Sequence, residues 1–125
     1  MGSLDAYKDE IISQLLEGDW KRLFPRRIYA NLTSWMKRHS KKESVVVRFT
    51  FFNPSKDGSS DKDIRYAVYL LCDPEAKRGK MTVHDIKFSE EDIPLAIPPV
   101  LYEKPLYNMP NDLLGKILNK KKKSE

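Results

Sequence analysis

Between residues 25 and 39 the segment PRRIYANLTSWMKRH splits into two chemically opposite halves when its residues are set about 100° apart. Ile28, Leu32, Trp35 and Met36 fall together within about 100° of arc, the width of a stripe that packs against a core. On the other side Arg26 lies within about 20° of Lys37, and Arg27 within about 20° of Arg38, because eleven residues make almost a whole number of turns. The pattern predicts a helix buried along one side and basic along the other.

Upstream, Leu4, Tyr7, Ile11 and Leu15 recur at helical spacing with Ile12 and Leu16 beside them, predicting a helix over about residues 4–17. Ser3 suits its N-cap and Gly18 its C-terminal end. Asp19 is placed to cap a short turn from Trp20 to Phe24, and Pro25 suits the first turn of the amphipathic helix. After His39 the helical period stops. SVVVRFTFFN is β-branched and aromatic and predicts a strand over about 44–52. A polar loop at 53–63 leads to IRYAVYLLC at 64–72, which alternates Ile64, Tyr66, Val68 and Leu70 with Arg65, Ala67, Tyr69 and Leu71. The turn DPEAKRG then leads to a third strand, KMTVHDIKF, over 80–88.

Five prolines between Ser89 and Pro110 exclude a long helix, while Leu95, Ile97, Val100, Leu101, Tyr102, Leu106 and Tyr107 argue for an extended segment packed on the domain. An edge strand is expected near 96–102, and a last helix from about Pro110 carrying Leu113, Leu114, Ile117 and Leu118. The expected architecture is α+β: two N-terminal helices packed on a three- to four-stranded antiparallel meander, then a proline-rich extended segment and a C-terminal helix. Residues 1–118 form the single expected domain, and 119–125 a basic, disordered tail.

Composition adds limits. With 125 residues, 40% of them hydrophobic and 33% charged, the chain has material for one core and not two. No apolar run approaches the ~20 residues of a membrane span, and MGSLDAYKDE lacks the basic and apolar regions of a signal peptide, so an intracellular site, cytoplasmic or nuclear, is expected. Met1-Gly2-Ser3 is compatible with an appended start, which leaves the native first residue open. One cysteine, Cys72, forbids an internal disulfide and fits a reducing compartment. The net charge of +5 favours acidic partners, although Lys120 to Lys123 account for four of those charges.

Candidate chemistry is sparse. His84 and Asp85 are neighbours on a predicted strand, so alternation sends them to opposite faces. His39 reads as a helix cap or core-edge residue, and Cys72 as a small buried hydrophobe. Glu90, Glu91 and Asp92 read as a solvated turn or helix start. There is no phosphate loop, dinucleotide fingerprint or zinc spacing; no cofactor, metal site or catalytic residue is expected, and an enzyme is the third-ranked reading. The basic residues of the first half are the stronger signal. Arg26, Arg27, Lys37, Arg38, Lys41, Lys42 and Arg48 are the candidate nucleic-acid contacts, since a phosphate backbone is met by arrayed lysine and arginine. Arg48 with Phe52, and Arg65 with Tyr69, also offer a strand surface mixing cations and aromatics.

The order helix, helix, three strands, helix resembles cystatin-like folds and, loosely, the small RNA-binding proteins of the signal recognition particle's Alu domain. The resemblance is one of element order alone, and implies helices laid on one face of an antiparallel sheet. The leading expectation is a non-enzymatic binding module, a subunit of a larger assembly that contacts nucleic acid, RNA ahead of DNA because no groove-reading helix motif is present. The alternative is a protein-interaction adaptor that docks through the proline-rich segment and last helix, with Leu106, Tyr107, Leu113, Leu114, Ile117 and Leu118 as contacts. A protein partner is expected in either case.

Overall fold

A computed structural model describes residues 3–39, 44–52, 64–89, 101, 103–110 and 113. Three helices, α1 (Ser3–Glu17), α2 (Trp20–Leu23) and α3 (Arg26–Arg38), precede the strands β1 (Val45–Phe52), β2 (Ile64–Cys72), β3 (Val83–Ser89) and β4 (Leu106–Asn108). The sheet order is β3-β2-β1-β4. The first three strands form the expected antiparallel meander. β4, at 106–108, departs from the antiparallel expectation: it runs parallel to β1, which makes the sheet mixed. The edge strand expected near 96–102 falls, Leu101 apart, outside the described residues.

The reversal follows from connectivity. β1 and β3 point the same way, so a strand parallel to β1 requires the chain to return along the sheet before pairing, the long crossover that parallel neighbours demand. Leu101 belongs to that return and packs on Val46, Ala67 and Tyr69. The Pro105 carbonyl accepts the Val46 N–H at 2.8 Å and the Arg48 carbonyl accepts the Met109 N–H at 2.9 Å, which extends the parallel ladder at both ends of β4. The Leu113 N–H reaches the Pro110 carbonyl at 3.3 Å and its side chain is buried in the main core. The rest of the expected C-terminal helix and the lysine tail lie outside the described residues.

The helices cover one sheet face. Ile11, Leu15, Trp20, Phe24, Leu32 and Met36 meet Val45, Val47, Phe49, Val68 and Leu70 in the main core. Each such aliphatic side chain contributes roughly 1.5–3 kcal/mol on burial. Trp20 is the hinge of this packing. Its ring stands edge-on to Phe24 and Phe49, with centroids 5.5 and 6.1 Å away, while its Nε1–H donates to the Leu15 carbonyl at 3.0 Å. The second face is covered over Val46, Ala67 and Tyr69, so β1 has buried side chains on both sides.

Gly18 ends α1 with φ +81°. Its carbonyl accepts two amides at 2.8 Å each, Trp20 N–H and Met81 N–H, tying the α1–α2 corner to the segment before β3. A Cβ here would lie 2.3 Å from the Met81 carbonyl oxygen, so both conformation and space require glycine. Because Met81 is committed to Gly18, β3 starts at Val83 rather than at 80. Asp19 occupies the N-cap of α2 without a side-chain cap bond; its carboxylate instead faces Arg22 at 3.9 Å. Pro25 stands at the N-cap of α3, one position ahead of the first turn. On β3 the Ile86 N–H donates to the Asp85 carboxylate at 2.8 Å.

Candidate functional site

α3 carries the charge pattern that the helical period predicts. Leu32 and Met36 are buried, and Ile28, Tyr29 and Trp35 are half-buried against the core. Arg26, Arg27, Lys37 and Arg38 are exposed, with Ala30, Asn31 and Ser34 exposed between them. Small and polar residues thus separate two pairs of cations about 16 Å apart along the axis, eleven steps of 1.5 Å. Among the described residues none of the four forms an ion pair.

The electrostatics of the N-terminal end are unusual. The first turn of α3 holds no acidic residue, Pro25 has no side chain to cap it, and Arg26 and Arg27 add positive charge where the helix dipole is already positive. Lys21 and Arg22 on α2 are exposed just upstream. At the C-terminal end Lys37 and Arg38 suit the dipole. There His39 caps the helix: its backbone N–H reaches the Met36 carbonyl at 2.9 Å and its Nδ1–H donates to the Trp35 carbonyl at 2.9 Å. Its ring lies 4.2 Å from that of Trp35, which also meets Tyr107 of β4 at 5.2 Å. Histidine and tyrosine therefore lock the flank of α3 to the sheet edge.

Arg48 is not part of this surface. It alternates with Val47 and Phe49, which face the helices, so it lies on the opposite side of the sheet. Its guanidinium sits 5.7 Å from the Tyr69 ring centroid, and its Nε is buried without a hydrogen-bond partner. Tyr69 is fully buried beneath the Leu101 crossover, so this cation and aromatic pair is no open platform for stacking a base. Lys41 and Lys42 lie outside the described residues, as do the side chains of Phe52 and Arg65.

Of the six candidate docking residues, the three described ones take part in the fold. Leu113 is 2% exposed and belongs to the main core, Leu106 packs with Leu101 and Val46, and Tyr107 packs on Trp35. Leu114, Ile117 and Leu118 lie outside the described residues.

A further pair escaped the strand pattern. Between Leu71 and Cys72 the β2–β3 register shifts, so that Leu71 faces Asp85 and Cys72 faces Val83, leaving His84 as the extra residue of a bulge. His84 Nε2 meets Asp73 Oδ1 at 2.5 Å, and Lys77 Nζ lies 3.7 Å from Asp73 Oδ2. The hydrogen bond from His84, assisted by the Lys77 charge, holds the Asp73 carboxyl below the usual carboxylate range. Simple alternation could not place His84 beside a residue eleven positions away. Cys72, by contrast, is buried, and burial pushes its thiol far above the ordinary range, opposite to what a thiolate nucleophile requires.

Among the described residues no helix is long and apolar enough to cross a membrane, and no group of three acidic, histidine or cysteine side chains is disposed to hold a metal ion. No protein-family model, curated protein or solved structure matches this chain. Any functional reading therefore rests on the surface itself.

Proposed function

We propose that this chain is a non-enzymatic α+β binding module, a subunit of a larger assembly, that holds a nucleic-acid backbone, RNA ahead of DNA, against the exposed face of α3. The observation that carries the reading is the set Arg26, Arg27, Lys37 and Arg38: four exposed cations without ion pairs among the described residues, held at fixed spacing by a helix whose other side is buried. The separation of about 16 Å spans about five steps of a stacked strand at 3.4 Å each. Contact is with phosphates rather than bases, since the aromatic side chains of Phe49 and Tyr69 are interior. RNA is favoured because no helix among the described residues has the arrangement of a groove-reading motif.

The test is fluorescence-anisotropy titration with single-stranded RNA, hairpin RNA and duplex DNA. Wild type should bind with an affinity that falls steeply with salt, and for single-stranded RNA four contacts correspond to a log–log slope of about −3. Changing Arg26, Arg27, Lys37 and Arg38 together to glutamine should abolish binding while the circular dichroism spectrum is unchanged. Absence of wild-type binding at low salt would overturn the proposal. Adaptor docking through the C-terminal third remains the alternative, and a salt-tolerant complex with a protein would favour it.

A further inference from the structure

The connection between β2 and β3 narrows to a tight turn at residues 77–80, where Lys77 and Lys80 exchange both backbone hydrogen bonds, at 2.8 and 3.0 Å. Arg78 and Gly79 occupy its two central positions with φ of +56° and +78°, the signs of a type I′ turn. Asparagine, aspartate or glycine is the usual first central residue of such a turn, because a longer L side chain is strained at positive φ. Arg78 is the one non-glycine residue at positive φ among the described residues. The turn thus carries a strained arginine between two lysines, all three exposed, and open space surrounds the tip at Gly79.

The base of this turn is anchored. The Asp73 N–H donates to the Thr82 carbonyl at 3.0 Å, Ala76 packs against the main core, Met81 is buried, and the Asp73 carboxylate joins His84 and Lys77. Its position is set by Gly18. That one carbonyl accepts the amides of Met81, next to Lys80, and of Trp20, next to Lys21, so the basic turn and the basic start of α2 leave from a single point. From α2 the chain continues through Phe24 and Pro25 to Arg26 and Arg27.

We propose that the 77–80 turn is a second phosphate-contacting element of the same interface, so that a single-stranded RNA bound on α3 runs past Lys21 onto Arg78 and Lys80. The inference rests on the α3 reading given above. Its argument is that the turn keeps an arginine where asparagine or glycine would relieve strain, on a stiff support, beside cations of like sign and with no acid at the tip. Lys77 is shared with Asp73, which leaves Arg78 and Lys80 as the contacts.

The experiment compares wild type with Arg78→Asn/Lys80→Gln and with Lys87→Gln, the latter lying on the far face of the sheet, by anisotropy titration with a single-stranded RNA of about 20 nucleotides across a salt series. The turn variant should keep or raise its Tm, lose affinity several-fold at low salt, and show a slope shallower by about 1.4, two contacts at about 0.7 each. Lys87→Gln should leave the slope unchanged, because a charge that touches no phosphate releases no counterion. An unchanged slope in the turn variant, with binding still lost in the α3 quadruple variant, overturns this inference and leaves the α3 reading standing. A wild type that binds no RNA overturns both.

Discussion

Gly18 concentrates several demands on one residue: a helix end at positive φ, a carbonyl that serves two amides, and contact with the Met81 backbone closer than any side chain allows. Gly18→Ala is expected to cost about 2–4 kcal/mol, from left-handed strain together with displacement of the Met81 segment, and urea denaturation will read it as a lower midpoint at unchanged m. Asp73 makes a different kind of demand. Its carboxyl titrates below the usual range in the folded state, chiefly through the His84 hydrogen bond, so the native state binds fewer protons than the unfolded chain as acid is added. The resulting stabilisation is complete above the ordinary carboxylate pKa and disappears as pH falls from there through the lowered value. Urea midpoints measured across that acidic window should converge for wild type and Asp73→Asn, and should differ most toward neutral pH; parallel curves would show that the pair contributes nothing. Neither residue's partner was legible in the sequence. Gly18 was readable as a helix end, but its contact with Met81 spans sixty-three positions, and His84 reaches Asp73 only because a bulge breaks the two-residue alternation.

At the scale of elements, α3 and β2 were the most legible, because each carries a full period of apolar positions and is buried accordingly. β4 was not, since three residues among prolines have no period to read and its partner strand lies about sixty residues earlier in the chain. Alternation also identified which residues share a face of β1 without saying which face the helices cover, and that is why Arg48 was grouped with cations on the far side of the sheet. The charge on α3 has an energetic cost that can be measured. Two arginines at the positive end of a helix oppose its dipole, and a glutamate there would favour it by about 0.3–1 kcal/mol each. Arg26→Glu/Arg27→Glu should therefore raise the Tm while removing RNA binding. A fall in stability would mean that these arginines serve the fold, and would weaken the case that they await an anion.

For the whole molecule, the defining arrangement is a mixed sheet covered on one face by three helices, with Leu101 and Leu106 packed on Val46, Ala67 and Tyr69 of the other. The parallel edge makes the contacts non-local: β4 pairs with β1 about sixty positions earlier in the chain, setting Val46 between Leu71 of β2 and Leu106 of β4. The α+β class and the meander could be read in advance from short-range periods, whereas the parallel edge depended on chain reversal over the sheet, which no local pattern encodes. The other edge of the sheet is β3, seven residues long and bounded by no further described strand. A strand of that length, carrying Ile86 and Phe88, is a template on which a second copy of the chain could add itself. Asp85 works against this. By folding its carboxylate onto the Ile86 amide it occupies a donor that an incoming strand would need, and with Lys87 at 3.2 Å from its other oxygen it sets a charged pair on the rim. One side chain thus guards the molecule against growing edge to edge into aggregates.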